Sequence, residues 1–154
     1  MKLEQAIHQE KKFKNEQLKA VVNVLYSASW LSNLINETLK PMQISMQQYN
    51  TLRILNGQYP NSMSVKLLTE RMIDRMSNTS RLIDKLVEKG LVDRKSCPAD
   101  RRKVDVTLTE SGMACVTAAV ELMDKKLEKK MKDFDKSDAQ KLNKLLEKIR
   151  KSEK

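Results

Sequence analysis

Met76-Ser77-Asn78-Thr79-Ser80-Arg81-Leu82-Ile83-Asp84-Lys85-Leu86-Val87-Glu88-Lys89-Gly90-Leu91-Val92-Asp93-Arg94 carries two hydrophobic rhythms joined at one glycine. Up to Lys89 the apolar residues recur every three or four positions, the period of a helix; after Gly90 they alternate, the period of a strand. Gly90 therefore reads as the C′ residue of a helix running from about Arg75 to Lys89, because glycine adopts the left-handed backbone at a helix end without steric cost. On that helix Met76, Thr79, Leu82, Ile83, Leu86 and Val87 fall on one side and are expected to hold it to the body of the protein. Ser77, Arg81, Asp84, Lys85 and Glu88 lie opposite, with Asn78 at the edge. By itself this polar side is equally the solvated face of a surface helix.

Downstream, Leu91 to Lys95 reads as one short strand and Val104 to Leu108 as its partner, joined by a polar loop from Ser96 to Lys103 that is too long for a tight turn. Upstream, Ser64 is a plausible N-cap for a short helix through Val65, Leu67, Leu68 and Met72. Before that, Ser45 with Gln48 forms a capping box for a helix through Tyr49, Leu52 and Leu55, stopped by Gly57 and Pro60. A long helix from roughly Leu3 to Leu39, ended by Pro41, precedes them. Thr109 caps a further long helix with the stripe Met113, Val116, Val120, Met123, Leu127, Met131 and Phe134. Ser137 with Gln140 is expected to cap a last helix lined by Leu142, Leu145, Leu146 and Ile149. The expected fold class is mainly α, a winged helix-turn-helix with a two-stranded β-wing and long N- and C-terminal helices.

Composition narrows the function. The chain of 154 residues carries a formal net charge of +10, which favours a polyanionic partner. Residues 71–103 hold ten Lys and Arg against five Asp and Glu. The tail from Asp124 to Lys154 holds twelve against seven, mixed along a helical pattern that reads as a solvated face. No apolar run suffices to span a bilayer and no signal peptide opens the chain, so a cytoplasmic protein without membrane contact is expected. Cys97 and Cys115 form no CxxC pair and read as ordinary thiols, so no metal and no cofactor is expected. Glycine-rich phosphate loops and zinc-protease motifs are missing, and His8, the single histidine, lies near a terminus; the chain is not expected to be an enzyme.

Two short helices followed by a basic ribbon suit double-stranded DNA. The second helix enters a major groove, where Ser and Asn reach base edges or phosphates and Arg pairs with guanine. In the loop, Arg101, Arg102 and Lys103 stand together beside Arg94 and Lys95, and an arginine at a ribbon tip can enter a narrow minor groove. Asp100 reads as a brace for a neighbouring arginine.

The stretch from Met76 to Arg94, then Asp100-Arg101-Arg102, then Leu108-Thr109-Glu110-Ser111-Gly112, resembles the MarR family of transcriptional regulators in order and spacing. The resemblance implies an obligate homodimer, joined through its N- and C-terminal helices, that places two winged lobes on a pseudo-palindromic site. It implies that Ser77, Asn78, Ser80, Arg81 and Lys85 serve the major groove, and that an arginine matching Arg101 or Arg102 reaches the minor groove. Arg101 is expected as the reader and Arg102 as the partner of Asp100. Repression is the family's commoner mode. Residues 1–40 and 110–154 would then form a helical dimerisation region and residues 44–109 the DNA-binding lobe, within one compact domain.

Independently of family, apolar stripes as long as those of the terminal helices exceed what three short inner helices cover, which also favours a second copy. Many relatives release DNA on binding a small aromatic molecule. Tyr26 with Trp30 and Tyr49 with Arg53 each stand four apart and share a helix face, a pattern of interface or core packing first and of a phenol- or carboxylate-binding effector cleft second. Oxidant-sensing relatives carry a cysteine in the first helix, where this chain has none, which leaves Cys97 in the wing as the only redox candidate. The competing reading is an architectural protein that binds DNA without sequence preference.

Overall fold

The computed structural model describes residues 1–97 and 100–151, and at 96, 97 and 100–103 the backbone alone. In chain order the elements are α1 (Leu3–Ala6), α2 (Glu16–Leu39), a 3-10 turn (Lys40–Met42), α3 (Met46–Asn56), β1 (Met63–Ser64), α4 (Val65–Arg71), α5 (Thr79–Glu88), β2 (Val92–Cys97), β3 (Asp100–Leu108), α6 (Glu110–Lys130) and α7 (Lys136–Arg150). The fold is a mainly helical winged helix-turn-helix with long N- and C-terminal helices. The wing belongs to a three-stranded antiparallel sheet, ordered β1-β3-β2, where two strands were expected. β1 is only two residues long, Met63 pairing Val106 and Ser64 pairing Asp105, too short for any alternation to betray it.

Most helix starts follow from side chains that can accept a hydrogen bond from an otherwise orphaned backbone N–H. Gln48 N donates to Ser45 Oγ at 3.2 Å while Ser45 N donates to Gln48 Oε1 at 3.0 Å, the expected capping box of α3. Ser64 caps α4 by accepting from Leu67 N, and Thr109 caps α6 by accepting from Gly112 N at 2.9 Å.

Three helices differ from expectation in their bounds, and in each a side-chain oxygen caps the helix that forms. The first helix is broken: α1 ends after one turn, His8 takes a left-handed φ of 52°, and α2 begins only where Asn15 Oδ1 accepts from Leu18 N at 2.7 Å. The last helix is capped by Asp135, which accepts from Asp138 N at 2.8 Å, and not by Ser137. Finally, α5 starts at Thr79, because Asn78 Oδ1 accepts from Arg81 N at 3.1 Å; residues 75–77 form a turn before it.

The end of α5 conforms to the glycine reading in detail. Gly90 has φ 67°, its N–H donates to Val87 O at 2.8 Å, and Leu91 N donates to Leu86 O at 3.0 Å. This is the paired closure that a left-handed residue permits. Beyond it the ribbon is longer than its hydrophobic alternation. Pairing runs from Val92 opposite Leu108 to Cys97 opposite Asp100, with a register shift between Ser96 and Cys97. Backbone ladder bonds need no apolar side chains, so a projecting ribbon leaves no period-two signal at its tip.

One core holds these elements together. Leu39, Leu52, Leu55, Leu68, Ile83, Leu86, Val92, Val106 and Val116 are all essentially inaccessible, drawn from α2 through α6. Burying such a side chain is worth about 1.5–3 kcal/mol. Ile83 and Leu86 thereby fix the rotation of α5 and turn its opposite side outward. Among the described residues, no helix is long and apolar enough to cross a membrane.

The tightest joint is between α6 and the α5–β2 corner. Thr109 N donates to Leu91 O at 3.2 Å and Thr109 Oγ1 donates to Gly90 O at 2.8 Å. One turn on, a Cβ built at Gly112 would lie 2.0 Å from Leu91 O, a backbone atom that cannot swing aside. Two stability predictions follow from these joints and caps. Helix propensity alone makes Gly112→Ala stabilising; the collision reverses the sign, and urea unfolding is expected to show a loss of about 1–3 kcal/mol. Asn78→Ala is expected to cost about 1 kcal/mol in the DNA-free protein while Asn78→Asp stays close to wild type, because only the cap acceptor matters there.

Candidate nucleic-acid interface

With Thr79, Ile83 and Leu86 buried and Leu82 half-buried, α5 presents Ser80, Arg81, Asp84, Lys85 and Glu88 to solvent. Ser80, Arg81 and Lys85, three of the five residues expected on this surface, thus share the exposed side of one helix. The other two precede it. Asn78 is exposed, but its carbonyl oxygen is occupied as the helix cap, so only its amide NH2 can donate to a partner. Ser77 is half-buried, and its Oγ is turned inward and buried without a hydrogen-bond partner. The extra turn of helix that would have swung Ser77 outward is missing.

Two residues expected to anchor α5 do not. Met76 is 94% exposed and Val87 39% exposed. Met76 lies in the turn, outside helical geometry, so a helical period assigns it to the wrong face; Val87 sits at the rim of the buried stripe.

The ribbon is tied to α5 by charge. Arg94 Nη1 of β2 lies 2.6 Å from Asp84 Oδ1 of α5. Both side chains are well exposed, so the pair contributes well under 1 kcal/mol to stability. Its consequence is geometric: Arg94, expected as a wing cation, is oriented along α5, and Asp84, expected only on the polar side of the helix, braces the wing. The sequence carries no sign of this, because the two residues are ten positions apart on elements of different period. Lys95 is exposed on β2, opposite Asp105 in the ladder. The backbone of Asp100, Arg101, Arg102 and Lys103 lies in β3, and their side chains, like that of Cys97, fall outside the described residues.

A shallow open groove beside this face is lined by Lys66, Thr69, Glu70 and Arg75, from α4 and the turn that follows it. Lys66 belongs to no sequence motif, and Arg75, expected to open the helix of α5, lies instead in the turn before it.

The four aromatic-cleft residues separate into two pairs. Tyr49 is buried in the core with the Arg53 guanidinium 5.8 Å from its ring centroid. Burial pushes the Tyr49 phenol above the ordinary tyrosine range, Arg53 acting in the opposite direction and Asp124 reinforcing it. Tyr26 and Trp30 are partly exposed on α2, within a helical stretch whose Leu18, Val21, Val24 and Leu25 are also exposed. Cys115 is half-buried; burial pushes its thiol up, against a weaker effect of Lys89. Among the described residues no group of three or more His, Cys, Asp or Glu could hold a metal ion.

Residues 44–104 match the model of the MarR family. The fold is similar to that of the MarR transcription factor from Planctomyces limnophilus, at 27% identity and a TM-score of 0.69 over 88% of this chain and 98% of that one. It is similar also to a MarR-like transcription regulator from Bacillus cereus, at 22% identity and a TM-score of 0.78 over 89% and 97% of the two chains. A cysteine-to-serine mutant of MarR from E. coli, solved in complex with operator DNA, matches at 23% identity and a TM-score of 0.76 over 90% and 99%. The matched segment spans the winged lobe from just before α3 into β3, and over most of its length the chain is similar in architecture to solved MarR-type transcription regulators.

Proposed function

We propose that this protein is a transcriptional regulator that binds a pseudo-palindromic site on double-stranded DNA as a homodimer, and that its mode is repression, in which occupancy itself excludes other proteins from the bound segment. One observation carries the reading. The side of α5 that the core leaves outward presents Ser80, Arg81 and Lys85, and the basic ribbon is fastened beside it through Arg94 and Asp84. A rod of this kind fits a major groove, and a cationic ribbon at its flank reaches the adjoining backbone or minor groove. That a mutant MarR from E. coli of similar fold was solved in complex with operator DNA supports a DNA-binding role. Within it, Arg101 is assigned as the minor-groove reader, Arg102 as the partner of Asp100, and Lys95 and Lys103 as phosphate contacts. The protein acts where the DNA is, in the cytoplasm.

Dimerisation is supported by apolar surface that one chain cannot cover. Leu25 is 66% exposed on α2 and Leu145 60% exposed on α7, and α7 buries none of its residues. Residues 1–40 and 110–154 are therefore assigned to the interface between copies, and residues 44–109 to the DNA-binding lobe. Tyr26 and Trp30 fit that interface. Tyr49 and Arg53 remain as the part of the effector cleft that comes together, and an aromatic carboxylate is the ligand class that suits an exposed guanidinium beside a buried ring.

Binding to selected and random duplexes at several salt concentrations tests the function. Arg81→Ala is expected to weaken the selected site by about 1–3 kcal/mol while sparing random DNA, and Lys85→Ala to weaken both alike and lower the salt slope by about 1. Equal loss on both duplexes for both variants would favour the architectural reading, and no affinity for any duplex at low salt would end the proposal. Light scattering at micromolar concentration is expected to return twice the chain mass of 17.8 kDa; a single-chain mass would remove the dimer.

A further inference from the structure

The turn between α4 and α5 exposes side chains that water disfavours. Met76 is 94% exposed and Ile73 75% exposed, and Leu67 on α4 is 45% exposed. The turn is held in place. Ile73 N donates to Asn50 Oδ1 of α3 at 3.0 Å, Met76 N to Asp74 Oδ1 at 3.0 Å, and Ser77 N to Asp74 O at 3.2 Å. The backbone is thus pinned on both sides of Met76, and the thioether is directed outward by an ordered turn.

Single exposed apolar residues are common on protein surfaces. The surroundings of this one are what matter. Lys66, Arg71, Arg75 and Arg81 are exposed around the turn against Glu70 and Asp74, so the charge balance fits a polyanion better than an apolar protein partner. Met76 also stands two residues before the cap of α5, the end of the helix that would reach the bases. In the major groove of duplex DNA, the apolar group on offer is the C5-methyl of thymine. A methionine, unbranched and with three rotatable bonds, can follow such a methyl without exact geometry.

We infer that Met76 is a specificity-determining residue that packs on thymine methyl groups in the major groove, beside the bases addressed by α5. The inference rests on the DNA-binding reading and adds to it a base preference that needs no hydrogen bond.

The test uses the full chain and a duplex selected from a random pool, remade with each thymine replaced singly by deoxyuridine, which keeps the hydrogen-bonding edges and loses only the methyl. Wild type is expected to bind about fourfold more weakly for each contacted methyl removed, at one or two positions in each half of the site. Met76→Ala is expected to bind the thymine and uracil duplexes equally, with wild-type affinity for the uracil duplex, and Met76→Leu to restore the preference. Wild-type indifference to every replacement, or an unchanged thymine preference in Met76→Ala, would overturn the inference. So would a changed oligomeric mass in Met76→Ala with the preference intact, which would assign the turn to contact between copies. Failure to select any duplex would overturn the DNA-binding reading and this inference with it, an outcome distinct from binding that ignores the methyl.

Discussion

The geometry of the proposed interface depends on the close approach of α6 to the carbonyl of Leu91. That oxygen accepts the amide of Thr109, and the chain one turn along α6 passes so near that only a residue without a Cβ fits at position 112. Thr109 simultaneously caps α6 and bonds Gly90 O, the residue whose left-handed backbone ends α5. Three elements therefore meet within a few residues: the end of the polar-faced helix, the root of the ribbon and the start of a long terminal helix. A change in any one shifts the relative aim of the other two. Rigid supports of this kind position a binding surface more reliably than loops do.

Above this joint, electrostatics shapes the surface more than it stabilises the fold. The Arg94–Asp84 pair is too exposed to add much to folding, yet it selects one orientation of a cation at the root of the wing. Lys89 does something comparable at the other end of α5, where its ammonium donates to the backbone carbonyl of Gln43 in the bend after α2. The cations left outward on α5, Arg81 and Lys85, are those that the core rotation dictates. A DNA-facing role would draw on the same net charge that makes the isolated chain self-repelling.

Much of this architecture is legible residue by residue. Ser45 with Gln48, Ser64 and Thr109 announce helix starts because a short side-chain oxygen satisfies a specific amide. Gly90 announces a helix end because its backbone is unrestricted. At other helix bounds the pattern misleads. Asn15, Asn78 and Asp135 each took a start that periodicity had placed elsewhere, and the shift at Asn78 moved Met76 from the expected buried stripe into water and turned the Ser77 hydroxyl inward. A periodic pattern reports which residues share a face only once the helix is known to include them.

The sequence by itself determined the class of the fold, the order of its elements and the chemical character of the helix offered to a partner, because caps, turns and amphipathic periods are local and act through neighbours a few residues away. Only the tertiary structure decided that β1 joins the wing, that Asp84 holds Arg94, that Gly112 must lack a side chain, and that Met76 stands in the open. Those outcomes depend on contacts between residues distant in the chain, where the gain from one pairing is weighed against every other arrangement the core permits, and no local pattern records the result.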